Sequence, residues 1–302
     1  MTTANLHAQV LALRRTQSAS AVAKTLGIPL GTVKAICSRA GLTRDNAKLR
    51  AFFCLPEPVA SNCTALQPQV APPKPTTTTG NQDLDAMLWL RQVVQTGDAA
   101  LIAKAMQAAE RIKTPAQELE KRYGDYLMRA SGGNTMQAVF GSIGFANLQG
   151  LANGVLSKQQ RRMDALARFG SEQAVFATLA QEQFCVDVLA PVPVASGAWG
   201  GIDQAQANAA FAQHPDMVPH TLADCVYELD FWDALRCLRI GWDHTGDELP
   251  EVYARRCYID SHCLSTIRPK SRDEAKTVLR YMAEHELFDR TETDAVLENL
   301  IG

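Results

Sequence analysis

Residues 19–38 read ASAVAKTLGIPLGTVKAICS. Two short apolar patterns are separated by Gly27-Ile28-Pro29. Val22 and Leu26 lie four apart in the first, and Val33 and Ile36 three apart in the second, so each pair marks one face of a helix. Ile28 supplies an apolar residue at the junction. Ala23 is small at the point where a second helix crossing the first comes closest. Gly27 stands where the chain reverses, and glycine takes a positive φ there without steric cost. The pattern predicts two helices packed across a tight turn, the second running from about Leu30 to Arg39.

Charge separates this stretch from the rest. Residues 1–52 carry eight basic side chains (Arg14, Arg15, Lys24, Lys34, Arg39, Arg44, Lys48 and Arg50) against a single acid, Asp45, a net of +7. The remaining residues hold 22 Lys/Arg against 31 Asp/Glu, a net of −9. A basic head on an acidic body is the arrangement of a chain whose head meets a polyanion.

With these residues in place, the window resembles the helix-turn-helix superfamily. Its GIPLGTVKAICSRAG portion is similar to the second half of the module in sigma-factor region 4, resolvase-type and phage-regulator domains. The resemblance covers about fifty residues, and it implies a three-helix head that binds double-stranded DNA. On a recognition helix from Leu30 to Arg39, Val33 and Ile36, with Cys37 in part, point inward. Leu30, Gly31, Lys34, Ala35 and Ser38 face the major groove, the small ones permitting close approach. Thr32 lies at the helix start, where backbone N–H groups favour a phosphate. Lys34 is placed to donate to guanine O6 or N7, or to a phosphate. Arg39, Arg44, Lys48 and Arg50 flank the helix as phosphate contacts that position without reading sequence. Arg14 and Arg15 end the first helix and grip the backbone from the other side.

Outward from the head, residues 55–82 contain six of the fourteen prolines and four consecutive threonines. Proline fixes φ and removes a donor, so this stretch reads as a semi-rigid extended linker. The expected organisation is a head over 1–54, a Pro/Thr-rich linker over 55–82 and a larger helical domain over 83–302, with a break near 190–201. Helices are expected over Asp83–Gln95 and Ala99–Ile112. A third is expected from Thr114-Pro115 to Arg129, with Leu119, Tyr123, Tyr126 and Leu127 on one face. The glycine-rich stretch 131–154 reads either as closely packed helices or as a mobile region. Ser157–Phe169 is helix-like. Ser271 and Glu274 form a capping-box pattern that opens a helix to about Leu287, and a short last helix begins near Thr291. The fold class is therefore mostly α.

The other constellations are weaker. Cys257, His262 and Cys263, with Cys225 and Cys237 upstream, lack the paired CxxC spacing of a zinc site, and eight cysteines in a chain of this size without an export signal read as free thiols. Cys54 and Cys63 read the same way. His214, His220, His244 and His262 lie among Asp224, Asp230, Asp233, Asp243 and Asp247, but no GxSxG, HExxH, phosphate-loop or dinucleotide fingerprint accompanies them. No cofactor and no metal are expected. No apolar run reaches membrane-spanning length, and the start of the chain lacks a signal-peptide pattern, so a cytoplasmic location is expected. The preferred reading is a sequence-specific transcriptional regulator, bacterial or carried by a mobile genetic element. Residues 83–302 would make it a homo-oligomer, a dimer, and offer a surface to a protein partner. The alternatives are a replication, partition or packaging protein resembling a phage small terminase, and an enzyme recruited to DNA by the head.

Overall fold

A computed structural model describes residues 3–14, 17, 19–40, 44–59, 71–193, 201–242 and 248–301. Their regular structure is helical, with no β-sheet among the described residues. The first part of the chain forms α1 (Thr3–Arg14), α2 (Ala19–Leu26), α3 (Leu30–Arg39) and α4 (Ala47–Phe52). The middle forms α5 (Gln82–Gln95), α6 (Ala99–Ala109), α7 (Ala116–Ala130), α8 (Thr135–Ser142), α9 (Leu148–Phe169) and α10 (Glu172–Val175). The last part forms α11 (Ala180–Leu189), α12 (Gln204–Ala212), α13 (Leu222–Arg239), α14 (Pro250–Cys257), α15 (Leu264–Thr266), α16 (Arg272–Glu284) and α17 (Thr293–Ile301). A π-helical turn, Tyr258–Cys263, connects α14 to α15.

The chain divides into two compact units. One unit gathers Met1–Pro56, Phe176–Arg236 and Gly246–Gly302; the other comprises Glu57–Val175 and Cys237–Thr245.

Within the first unit, α1, α2 and α3 enclose a small core of their own. Val10, Val22, Val33, Ile36 and Cys37 are buried in it, and Leu6, Leu11, Leu26 and Ile28 pack around them. Gly27 closes α2 at φ 63°, the left-handed conformation that the turn requires. α4 is held differently, by residues far along the chain. Asn46 caps α4 with its side-chain oxygen, accepting from the N–H groups of Lys48 and Leu49. Its amide nitrogen donates to the carbonyls of Asp216 and Val218, and its backbone N–H donates to Asp224. Phe53, just past the helix, is fully buried, with its ring edge-on to Phe231 and Trp232 at 5.7 Å. Residues 44–56 are therefore built into the same packed body as α11 to α17.

At the centre of that body Arg255 and Glu228 are both fully buried. The guanidinium clasps the carboxylate through Nε at 2.7 Å and Nη2 at 2.8 Å. Nη2 also donates to the carbonyl of Met217 at 2.6 Å. The rings of Phe53, Phe184, Phe211 and Tyr258 lie 5.0–5.8 Å from the guanidinium carbon. A charge removed from water needs such a bidentate partner, and the aromatic faces add attraction where solvation is lost. The Ser271 pattern forms half of a capping box. The Ser271 side chain accepts from the Glu274 N–H, while the Glu274 carboxylate turns to the N–H groups of Ala223 and Lys270, tying α16 to the start of α13.

The second unit is built on α5, α6, α7 and α9 around Leu84, Met87, Leu90, Val94, Ile102, Leu119, Phe145 and Leu148. α5 and α6 start under the side chains of Asn81 and Asp98. Pro115 stands just before α7 rather than in its first turn, and the Thr114 hydroxyl donates to Asp83 instead of capping. The glycine-rich stretch resolves into α8 and the first turns of α9. Gly141 serves close packing, since a Cβ there would lie 2.7 Å from Leu127 Cδ1, whereas Gly132, Gly133, Gly144 and Gly154 face open space. Within the proline-rich stretch, residues 55–59 and 71–81 carry no helix. Val59 donates to the carbonyl of Ala167, and the Trp89 indole N–H donates to Pro73 at 2.7 Å. Residues 60–70 and 194–200, which hold part of the expected linker and most of the expected break, lie outside the described residues.

Candidate nucleic-acid interface

The helix read as the recognition element, α3, starts after Pro29 without a side-chain cap, and the N–H groups of Thr32 and Val33 share the Pro29 carbonyl. Val33, Ile36 and Cys37 face the three-helix core. Leu30, Gly31, Lys34, Ala35, Ser38 and Arg39 are exposed, and Thr32 is half-buried. One side of α3 is thus apolar and packed, and the other presents short side chains bracketed by two cations. The Arg39 Nε donates to the carbonyl of Ala35 at 3.2 Å, which lays the guanidinium along this outer face. Arg44 is exposed. Residues 1–44 contain six Lys/Arg and no Asp or Glu, so no local carboxylate offsets the positive field around the helix.

The remaining cations expected at the interface lie elsewhere. Arg50 points into the body: its Nε donates at 2.8 Å to Asp224, which is fully buried, and its Nη2 lies 3.0 Å from Asp45. Its guanidinium carbon sits 5.1 Å from the centre of the Tyr227 ring. Lys48 pairs with Asp216 at 2.8 Å on the surface. Arg14 donates to the carbonyl of Gln17 and lines a groove beside α1. Arg15 lies outside the described residues. A guanidinium held by a buried carboxylate has no charge to spare for a phosphate, so Arg50 is a fastening of α4 and not part of the exposed basic face.

Asp45, the one acid of the first 52 residues, is part of that fastening. Burial pushes its carboxyl pKa up, but the hydrogen bonds from Lys270 and Thr221 and the charge of Arg50 outweigh this, and the net shift is downward. The partners of the segment, Asp216, Asp224 and Lys270, lie some 170 to 225 positions away along the chain. No local pattern announces them. The one legible hint was Asn46 followed by a helix-prone run, an N-cap signal.

The His and Asp residues between 214 and 262 are dispersed by the fold. Asp224 accepts from Asn46, Arg50 and the His220 N–H. Asp233 accepts from the Tyr281 hydroxyl at 2.8 Å and pairs with Arg256 and His285. Burial and then the Asp233 hydrogen bond push the Tyr281 phenol pKa up; burial and the nearby Asp233 charge raise Asp230. His214 meets the Phe184 ring edge-on, and His262 stacks on Tyr258. His244, Asp243 and Asp247 lie outside the described residues. Cys225 is fully buried against Cys263, and burial together with that hydrogen bond pushes its thiol pKa up. The described cysteines are free thiols, and among the described residues no three His, Cys, Asp or Glu side chains are grouped to hold an ion. No described helix is long and apolar enough to cross a membrane.

Comparison of the chain with protein-family models, with curated proteins and with solved structures finds no match.

Proposed function

We propose that the chain is a sequence-specific DNA-binding regulator that reads a duplex with the exposed face of α3. The observation that carries this reading is the two-sidedness of α3. Val33, Ile36 and Cys37 are packed inward, and the opposite face offers Gly31, Lys34, Ala35 and Ser38 in a region free of acidic side chains. Short side chains let a helix sit deep in the major groove, Lys34 supplies a donor for guanine O6 or N7, and Arg39 and Arg44 lie beside the phosphates. The α3 start adds the first backbone N–H groups of the helix, those of Leu30 and Gly31, for a phosphate. Lys48, Arg50 and Arg14 take internal partners and stand outside this contact set.

One helix reads few base pairs, so affinity comes from pairing two heads on adjacent half-sites. The second unit offers a surface for that pairing. Met136, Val139, Phe140 and Ile143 are each 49–69% exposed and recur at i, i+3, i+4 and i+7 along and just beyond α8. A contiguous apolar stripe of this kind marks an association surface, and a second copy of the chain is its proposed occupant.

The test is selection of the full-length protein on a randomised duplex library, beside the Lys34→Ala/Arg39→Ala variant. Enrichment of a motif by the native chain and its loss in the variant, with an unchanged circular dichroism spectrum, are expected. A motif that survives the double substitution refutes the assignment of α3; no enrichment by the native chain refutes sequence-specific reading.

A further inference from the structure

A groove of about 460 Å³ lies in the first unit, walled on one side by α1 and on the other by the segment from the π-turn to Lys270. That volume falls in the range of small-molecule sites, about 300–1,000 Å³. Its apolar lining comes from Leu11 on one wall and from Val218, Pro219, Tyr258 and Ile267 on the other. Tyr258 and His262 stand four apart in the π-turn, with their rings 5.6 Å apart and inclined by 25°; Tyr258 is buried, and the exposed His262 ring stacked on it is the aromatic surface the groove offers. π-turns cost regular hydrogen bonding and occur often at functional sites.

The charged lining has one sign. Arg14, Arg268 and Lys270 reach the groove, and among the described residues no Asp or Glu lines it. Lys270 is held by Asp45 at 3.0 Å. Arg14 and Arg268 donate to main-chain carbonyls, those of Gln17 and Asn299, and have no carboxylate partner among the described residues. Partial burial lowers the His262 pKa.

We propose that this groove binds an amphipathic aromatic anion, a carboxylate or sulfonate of two or three rings, with its ring system against the exposed His262 ring and its anionic group at Arg14 and Arg268. Such a ligand touches α1 and the 258–270 segment together, so its binding ties the first helix of the head to the body. The chemistry of the groove stands independently of the DNA-binding reading, and the test below uses no DNA.

The probe is 8-anilinonaphthalene-1-sulfonate, whose fluorescence rises in apolar sites, with N-phenyl-1-naphthylamine as its neutral counterpart. Titration of the full chain should show one saturable site per chain for the sulfonate and at least tenfold weaker binding of the neutral amine. Ala212→Trp, placed at an exposed position on the groove's edge, should weaken both dyes at least tenfold. Arg268→Gln should weaken only the sulfonate. Amide exchange in α1 and in residues 258–268 should slow when the sulfonate binds. Sulfonate binding that is absent, or untouched by both substitutions, would overturn the proposal, the latter placing the dye elsewhere, as on the apolar stripe of α8. Equal affinity for the two dyes, or an Arg268→Gln effect shared by both, would overturn the anion preference.

Discussion

If the chain binds DNA as proposed, the geometry of the basic residues sets the salt dependence of that binding. Lys34, Arg39 and Arg44 are exposed and have no carboxylate partner among the described residues, whereas Arg50 is held by the buried Asp224. If three cations each neutralise one phosphate, log K falls with log salt with a slope of about −2.7, which is roughly a 40-fold loss of affinity between about 50 and 200 mM salt. Removing one of them, by Lys34→Ala, should reduce the slope by about 0.9, leaving roughly a 12-fold loss over the same range. The discriminating variant is Arg50→Gln/Asp224→Asn. It deletes a cation of the same head but also removes the carboxylate that held it, so the buried site stays neutral and the slope should match the native one. Fluorescence anisotropy of a labelled duplex, titrated at several salt concentrations, measures all three slopes. A native slope shallower than about −1 would refute a phosphate-tracking head. A slope flattened as much by the Arg50 variant as by Lys34→Ala would refute the division between exposed and internal cations.

Other expectations follow from the packing. Glu228→Gln strands the Arg255 charge inside an aromatic cage, and should cost about 3–5 kcal/mol in denaturant unfolding; Glu228→Gln/Arg255→Met should recover most of it, because no unpaired charge remains. Phe140→Asp/Ile143→Asp puts charge on the exposed stripe of α8 and should convert an associated species to monomer in sedimentation velocity while leaving the helical content unchanged. The Asp45 pKa is lowered in the folded state, so its contribution is present above the unfolded value of about 4 and is lost as pH falls through the folded value. Asp45→Asn should therefore lower the unfolding free energy at pH 7, by under about 1 kcal/mol since the pair is partly solvated, and the difference should shrink as pH falls through the folded-state value.

Periodicity and caps are local properties, and they were legible along the chain. Val22, Val33 and Ile36 could be placed on inward faces, Gly27 in the turn, the starts of α5 and α6 near Asp83 and Ala99, and the start of α16 at Ser271, because a helix and its cap involve residues three or four apart. The glycine-rich stretch was ambiguous because small residues serve both mobile loops and tight helix crossings, and only the approach of Leu127 to Gly141 decides for the crossing. What the sequence determined by itself was the two-sided character of α3 and the acid-free, basic neighbourhood around it. What tertiary structure alone decided was the fate of each cation. Arg39 and Arg50 read alike along the chain, yet one lies along an open helix face and the other against Asp224. That difference is set by residues more than 170 positions away, and a charge is committed or available only according to what the fold brings within a few ångströms of it.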